Sequence, residues 1–256
     1  MSVFTAAILG LVEGITEFLP ISSTGHLILA SSLLGLAQTD FVKSFEIIIQ
    51  LGAIASVVVL YWKSFLNIEI LKRLAVAFIP TGIIGLALYK VVKTYLLGNE
   101  SVVLWALLLG GIVLIVFELL HKPREDALRD IAQMSYRQAF TIGLFQSLAI
   151  IPGVSRSAAS IVGGLLVGLR RTAIVEFSFM LAVPTMLAAS GLDIVKSHAA
   201  FSGGGIGILL VGFVVAFVVA FFSIKFLLAF VRTRTFVPFG IYRIVLAILF
   251  WFFILR

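Results

Sequence analysis

Six apolar stretches of about 20 residues each constrain the fold of this chain more than any other feature. A stretch of that length crosses the hydrocarbon core of a bilayer as a helix, in which every backbone polar group finds a partner within the segment. The stretches are residues 44–62, 74–92, 102–120, 173–195, 206–230 and 237–255. We therefore predict an all-α, polytopic membrane protein with one membrane domain over residues 1–256.

The composition agrees with the bilayer as the solvent of this chain. Hydrophobic residues make up 61% and charged residues 12% of the chain, and the mean hydropathy is +1.20, far above the range of soluble domains. Cysteine is absent, so any chemistry must use oxygen and nitrogen groups. Most of the Lys and Arg behind the net charge of +7 lie in short loops, which is typical of membrane orientation signals and excludes nucleic acid as a partner.

Two further apolar regions are interrupted by proline and polar residues. Residues 3–36 are broken at "FLPISSTGH" and residues 138–169 at "IIPGVSRSAAS". Each half has about 12 to 15 residues, or roughly 20 Å of helix, which is shorter than the hydrocarbon core. We predict two re-entrant helix hairpins whose turns line a cavity, because broken backbone is not tolerated against lipid. The alternative is two kinked helices that cross the membrane fully.

Basic residues predict the orientation of the chain. If each hairpin returns to its starting side, one side carries Lys63, Lys72, Arg73, Lys122, Arg124, Arg129, Arg137, Arg170, Arg171, Arg232 and Arg234. The opposite side keeps only Lys43, Lys90, Lys93, Lys196 and Arg256. By the positive-inside rule the richer side is cytoplasmic. The first hairpin then opens to the exterior and the second to the cytoplasm.

The two interruptions also indicate an inverted repeat, with residues 1–121 and 138–256 as its halves. Each half has a hairpin followed by three spans, and the halves start from opposite sides. In the alignment of the two halves, Gly10 pairs with Gly143 and Glu13 with Gln146. One residue is then skipped so that Pro20 pairs with Pro152, and this register pairs Ser23 with Ser155. In this architecture a binding site lies between the halves, near the midplane.

The polar residues of the first interruption predict an anion site. Glu13 and Glu17 lie four residues apart, so a helix projects both carboxylates from one face, where they can share a cation or a proton. Ser22, Ser23 and Thr24 supply capping hydroxyls to a helix that we expect to begin near Gly25, and its free amides attract an anion. The alternatives are plain capping and a structural ion pair.

The second interruption adds a cation to the predicted site. "PGVSRSAAS" repeats the capping device with Ser155 and Ser157 and places Arg156, whose guanidinium binds phosphate or carboxylate at two points, at the turn. Glu13 or Glu17 could pair with Arg156 structurally. Two helix starts, two carboxylates and one arginine together favour a phosphate site with a divalent cation, Mg²⁺ or Ca²⁺, bound by Glu13 and Glu17.

His26 follows the first turn and is the remaining candidate for chemistry. Near neutral pH a histidine acts as nucleophile or as general acid and base, although a lone histidine in a helix is more often structural. His121 and His198 lack acidic or hydroxyl neighbours in the sequence, and we expect both at the surface. Glu46 and Glu118 lie near span ends, where we expect their carboxylates to reach the headgroups.

At this point the motifs resemble a known family. "EGITEFLPISSTGHLIL", "FEIIIQLGAI", "IPTGIIGL" and "PGVSRSAAS" are similar, in the same order, to the bacterial undecaprenyl pyrophosphate phosphatases, also called bacitracin-resistance proteins. The resemblance covers nearly the whole chain. Where the family has Gly-Ala-Thr or Gly-Ala-Ser after its Ser-Arg-Ser, this chain has Ala158, Ala159 and Ser160, which affects only the packing of that helix.

The resemblance implies a function and a location. The implied reaction is dephosphorylation of undecaprenyl diphosphate, which recycles the carrier lipid for peptidoglycan synthesis and confers bacitracin resistance. The family's glutamate motif falls on Glu13 and Glu17, its hydroxyl and histidine turn on residues 22–26, and its arginine motif on residues 155–157. The implied location is the bacterial inner membrane, with the site open to the exterior. Expected partners are the lipid substrate, membrane lipids and, as an option, a second copy of the chain.

Two questions stay open at this stage. His26 could attack phosphorus directly, or Ser23 could attack with His26 as its base. A rival function is transport, since inverted repeats with broken helices are typical of alternating access, and the chain could flip a polyprenyl phosphate alone or alongside hydrolysis. A purely structural scaffold is a third hypothesis, and it leaves the clustered polar groups without a purpose.

Overall fold

The computed structural model describes residues 1–37, 39–96, 99–122, 127–196 and 205–255 of the chain. Three residues named above, Arg124, His198 and Arg256, lie outside these ranges. The described residues form ten α-helices: α1 (Val3–Thr16), α2 (Ser23–Leu33), α3 (Asp40–Leu60), α4 (Ile68–Val91), α5 (Glu100–Leu120), α6 (Tyr136–Ser147), α7 (Arg156–Leu166), α8 (Arg171–Lys196), α9 (Ile206–Val231) and α10 (Val237–Phe250). The described residues form no β-strand, so the all-helical prediction is confirmed for them.

Polar residues just outside the apolar stretches determine where several helices begin. The side chains of Thr39, Asn67 and Asn99 each accept a hydrogen bond from a backbone amide in the first turn of α3, α4 or α5. Ser135 and Gln138 form a reciprocal capping box at the start of α6. These caps satisfy amides that a helix leaves unpaired, and they explain why α3, α4 and α5 begin earlier than the apolar pattern alone predicts.

Five helices are long and apolar enough to cross a membrane: Phe41–Leu60, Ile68–Val91, Glu100–Leu120, Arg171–Gly191 and Ile206–Val231. They correspond to the first five predicted spans, which confirms a polytopic membrane protein. The sixth predicted span is shorter than expected. Its α-helix begins at a proline-containing first turn and ends at Phe250, where a turn of π-helix over Trp251–Leu255 replaces the regular hydrogen bonding.

The two interrupted regions each form a pair of short helices. In the second pair, Nε2 of Gln138 in α6 donates to the carbonyl of Val167, directly after α7, at 2.8 Å. The start of α6 therefore lies beside the end of α7, and this pair is a hairpin that returns to its starting end. In the first pair, Ala6 and Leu9 of α1 share a buried apolar cluster with Leu27 of α2.

Small residues let the hairpin helices pack closely on helices of the other half of the chain. A Cβ atom added at Gly10 or Gly14 of α1 would lie 2.7 or 2.8 Å from the carbonyl oxygen of Gly212 or Ala216 in α9. A Cβ atom at Gly143 of α6 would overlap backbone atoms of α4. The first hairpin thus packs on α9 and the second on α4, so each hairpin packs on a helix from the other half of the chain.

The structure corrects the register of the sequence repeat. Ser22 and Ser155 occupy the same place, each directly before a hairpin helix and each with positive φ, 71° and 77°. The register that pairs Ser22 with Ser155 also pairs Gly10 with Gly143. It pairs the last residue of α2, Leu33, with the last residue of α7, Leu166, and it needs no skipped residue. The predicted pairing of Ser23 with Ser155 is therefore wrong, because it aligned the two prolines, which occupy different positions in their turns.

The close approach of α6 to α4 generates a prediction. Gly143→Ala places a methyl group against the backbone carbonyl of Ala77, which cannot move aside. We therefore expect the free energy of unfolding to fall by about 1–3 kcal/mol. The measurement is the thermal unfolding midpoint in detergent. Gly207→Ala is the matched control, since nothing lies within 4 Å of its added Cβ. Equal midpoints for the two variants would contradict this packing.

Candidate active site

The turns of the two hairpins meet inside the helical bundle. Oγ of Ser157, at the start of α7, donates to the carbonyl of Leu19 in the first turn at 3.0 Å. Ser22 and Ser155 hold the left-handed backbone that re-aims the chain into α2 and α7. Such backbone costs about 1–3 kcal/mol per residue and is concentrated at functional sites. The predicted meeting of the two interruptions is thus confirmed by direct contact.

Arg243 of α10 holds the two turns together. It is fully buried, and its guanidinium donates five hydrogen bonds to backbone carbonyls. One nitrogen bonds to Pro20 at 3.5 Å in the first turn and to Val154 at 2.9 Å in the second. The other bonds go to Gly153 and to α5, so that all five N–H groups of the side chain are used.

The sequence indicates a role for Arg243, although the count of basic residues in loops overlooked it. Arg243 lies in the middle of the stretch 237–255, which is otherwise apolar. An ionisable side chain within a membrane segment faces a partner or a cavity by default. That rule identifies Arg243 as important, although it does not reveal that its partners are carbonyls from three distant segments.

Three carboxylates gather beside the turns. Glu13 of α1 is fully buried, and among the described residues neither of its oxygens accepts a hydrogen bond. Its charged neighbours are Glu17, Glu46 and Arg156. Glu46, which also accepts a bond from Ser31 at 3.3 Å, therefore faces the interior, and the prediction that it reaches the headgroups is wrong. A buried carboxylate without donors is costly and needs a cation or a proton.

Glu17 connects the two hairpins chemically. One carboxylate oxygen accepts a hydrogen bond from the hydroxyl of Ser23, and the other lies 3.5 Å from Nη2 of Arg156. Arg156 also donates to the carbonyl of Ser178 at 2.8 Å, while its Nε has no acceptor among the described residues. The result is a buried chain of hydroxyl, carboxylate and guanidinium. The hydroxyl of Ser23 therefore donates to Glu17, while the ring nitrogens of His26 contact Ser22 and Tyr242; the role of His26 as base or nucleophile stays a prediction.

His26 lies in the first turn of α2, with both ring nitrogens engaged. Nδ1 lies 2.7 Å from the carbonyl of Ser22, and Nε2 lies 2.7 Å from the hydroxyl of Tyr242. Because a carbonyl only accepts, Nδ1 carries the proton, and Nε2 of the neutral ring keeps its lone pair. Tyr242 precedes Arg243 in α10, and the sequence pattern indicated no role for it.

The hydroxyls of the two turns differ in their engagement. The helix α2 begins at Ser23 rather than near Gly25, and the side chain of its cap residue, Ser22, makes no capping bond. Ser155 does cap α7, accepting from the amide of Ala158 at 3.3 Å. Thr24 is half-buried in the first turn of α2. Substrate contacts by these hydroxyls and by Ser157 stay a prediction.

Comparisons with known proteins identify the family of this chain. The family described as "Bacitracin resistance protein BacA" matches residues 6–249. This chain belongs to that family. A curated relative from Sulfurihydrogenibium sp., named "Undecaprenyl-diphosphatase", is 54% identical over 98% of this chain and 99% of the relative. A relative of the same name from Persephonella marina is 52% identical over 100% of this chain and 100% of the relative. Another from Aquifex aeolicus is 50% identical over 98% of this chain and 98% of the relative. The resemblance inferred from the motifs is confirmed.

The acidic pair of this family member suits a divalent cation shared with a phosphate ligand. In the part of the chain that the structure describes, no group of three or more His, Asp or Glu side chains forms a complete metal site. Mg²⁺, however, commonly uses one or two carboxylates and completes its shell with water and substrate phosphates. The two oxygens of Glu13 without donors, beside Glu17, meet that requirement.

The five bonds of Arg243 generate a second prediction. Arg243→Met leaves carbonyls of both turns without hydrogen-bond donors in the interior. We therefore expect the free energy of unfolding to fall by more than about 3 kcal/mol. Arg243→Lys keeps the charge but not the planar fork, so most of the loss should remain. The thermal unfolding midpoint in detergent measures both effects.

Lys225→Met on α9 is the control for removing a cation, because Lys225 is exposed. Full stability of Arg243→Lys would mean that charge alone, and not the fork geometry, holds the turns.

Proposed function

We propose that this chain is an undecaprenyl-diphosphatase, a membrane phosphatase that hydrolyses undecaprenyl diphosphate to undecaprenyl phosphate and inorganic phosphate. Relatives with that name match nearly the whole chain at about 50% identity. The observation that carries the chemistry is the buried chain of Ser23, Glu17 and Arg156, which combines nucleophile, base and phosphate-binding cation. Recycling of the carrier lipid for the cell wall and bacitracin resistance follow from this activity.

The membrane placement that we propose makes both hairpins re-entrant. The hairpin α6–α7 starts and ends beside the basic loops, and by the positive-inside rule this end faces the cytoplasm of a bacterial inner membrane. The hairpin α1–α2 enters from the exterior, and the site opens to that side. The exchange of packing partners between the halves supports an inverted repeat of residues 1–121 and 138–256.

The diphosphate of the substrate lies between the two turns, and its prenyl chain stays among the lipid-facing helices. Amides at the start of α2 are free of a side-chain cap and offer donors to the terminal phosphate, with the hydroxyls of Ser22 and Thr24 beside them. Arg156 has an Nε without an acceptor and turns from Glu17 to the phosphate. Ser155 and Ser157 hold the second turn against the first.

The first chemical step is attack by Ser23. Its oxygen bonds to the terminal phosphorus, the bond from that phosphorus to the bridging oxygen breaks, and the proton of Ser23 passes to Glu17. Undecaprenyl phosphate leaves with the bonding electrons as an anion that needs no protonation. Arg156 and the amides of α2 stabilise the charge that develops on the transferred group.

The second step is hydrolysis of the phosphoserine. Water bonds to phosphorus, the bond from phosphorus to the oxygen of Ser23 breaks, and Glu17 returns its proton to that oxygen. One proton of the water passes to Nε2 of His26, which then gives it to the departing phosphate. Inorganic phosphate leaves. Tyr242, whose hydroxyl bonds to the same Nε2, yields its place to this water. Glu13 and Glu17 would hold a divalent cation, which would supply neutralisation of the charge on the phosphate.

Phosphate release in detergent micelles tests the proposed function. Micelles have no sides, so a protein that only flips a polyprenyl phosphate releases nothing from undecaprenyl diphosphate. We expect release by the wild type and losses of about 100- to 10,000-fold for His26→Asn and Arg156→Ala. His121→Asn is the control, because His121 is a partly exposed histidine at the end of α5. Release by none of these proteins would contradict the proposal.

The acidic pair generates a prediction that separates stability from activity. A chelator should stop phosphate release, and Mg²⁺ or Ca²⁺ should restore it. Glu13→Gln removes a buried charge without donors, so its unfolding midpoint in detergent should equal or exceed that of the wild type while activity falls. Glu100→Gln, in the first turn of α5, is the control. Full activity of Glu13→Gln with an unchanged response to chelator would overturn the metal assignment.

A further inference from the structure

A cavity of about 780 Å³ lies at the end of the bundle remote from the hairpin turns. It is bounded by the ends of α5, α7 and α9 and by the start of α8. Its basic lining residues are His121, Arg129, Arg170, Arg171 and Arg232. Along α7, about 13 Å of helix separates its rim at Leu165 from the start of the helix at Arg156. The cavity is therefore distinct from the candidate active site.

Five basic residues line this cavity, and two carboxylates of the described residues approach them, Glu118 beside Arg171 and Glu176 near Arg232. Among the described residues, none of those that line it is acidic. Arg171 pairs with Glu118 at 2.6 Å through one nitrogen, while its Nη1 is buried without an acceptor. Glu118 is buried in this pair and does not reach the headgroups, which corrects the expectation from the sequence. Arg129, Arg170 and Arg232 are exposed, so their guanidinium groups are available to an anion.

The backbone adds to the attraction for an anion. The helix α8 begins at Arg171, and both Arg171 and Thr172 line the cavity, so the positive end of a long helix lies at its wall. Backbone bonds from Arg170 to Leu128 at 2.8 Å and from Leu128 to Gly168 at 3.0 Å fix the rim. An ordinary positive-inside loop needs no such cavity, since scattered surface charges are enough to orient a helix.

The surroundings of the cavity indicate the kind of ligand. Leu119 and Leu120, the last residues of α5, and Leu166, the last residue of α7, are large exposed apolar side chains next to the lining residues. A guanidinium-rich pocket beside apolar helix ends is typical of sites for anionic lipid headgroups. The volume also exceeds what a bare phosphate ion needs and is in the range of pockets for organic ligands.

We propose that this cavity binds a phosphate group, presented by the headgroup of an anionic lipid or as free inorganic phosphate. Arg129, Arg170 and Arg232 supply the charged donors, and the start of α8 supplies backbone amides. The exposed leucines favour the lipid, because free phosphate gains nothing from apolar neighbours.

Binding to the full-length protein in detergent tests this proposal. The probes are short-chain phosphatidylglycerol, phosphatidylcholine and inorganic phosphate, and the readouts are the dissociation constant and the shift of the unfolding midpoint. The triple variant Arg129→Gln, Arg170→Gln, Arg232→Gln should bind phosphatidylglycerol at least about tenfold more weakly than the wild type. Phosphatidylcholine, which has no net charge, should bind weakly to both proteins.

A second triple variant controls for the loss of charge. Lys63→Gln, Arg137→Gln and Arg234→Gln remove the same charge from exposed positions that do not line the cavity, and this variant should bind like the wild type. If inorganic phosphate shows the larger loss in the first variant, the ligand is free phosphate; if phosphatidylglycerol does, it is a lipid. Equal losses in the two triple variants, or no loss in the first, would overturn the proposal.

Discussion

The hydrogen bonds of Arg243 to both hairpin turns are the interaction on which the remaining structure depends. A broken helix inside an apolar bundle exposes carbonyls that neither lipid nor a neighbouring helix can satisfy. Arg243 donates to carbonyls of both turns and of α5, and so meets this requirement with one side chain. Among the described residues it forms no ion pair, and its charge remains as a positive field beside His26.

That arrangement makes a phosphate site possible in surroundings that otherwise exclude charge. With the turns held together, Glu17 lies within reach of Arg156 from the other half of the chain, and Ser23 lies within reach of Glu17. Burial strengthens each of these interactions because water does not screen them. It also leaves Glu13 without donors, a cost that is expected at a site built for a cation or a proton and not for stability.

Much of the fold and part of the site could be predicted from local patterns. Apolar length predicted the helices, and the proline breaks predicted the two short helix pairs. The spacing of Glu13 and Glu17 placed both on one helix face, and the resemblance of the motifs predicted the family correctly. These features depend on residues that are near one another in the chain, where periodicity and composition carry the information.

Three contacts that the sequence patterns did not predict join distant segments. Arg243 bonds to a turn more than two hundred positions earlier in the chain, Tyr242 bonds to His26, and Glu46 approaches Glu13. Periodicity places a residue on a helix face but does not name the helix that it meets. The predicted register of the repeat was wrong for a related reason. The prediction aligned the two prolines, whereas the residues in equivalent positions of the structure are Ser22 and Ser155, which share positive φ.

Trapping the phosphorylated enzyme tests the central claim, that Glu17 activates Ser23 at a site built by the two turns. Detergent-solubilised protein is mixed with undecaprenyl diphosphate labelled on its terminal phosphate, quenched within a turnover, and mapped by mass spectrometry. The His26→Asn variant, in which the second step is slow, should accumulate the intermediate. The account predicts an acid-stable phosphate on Ser23 that Glu17→Gln prevents. An acid-labile phosphate on His26 in the wild type, or hydrolysis without any labelled protein, would contradict it.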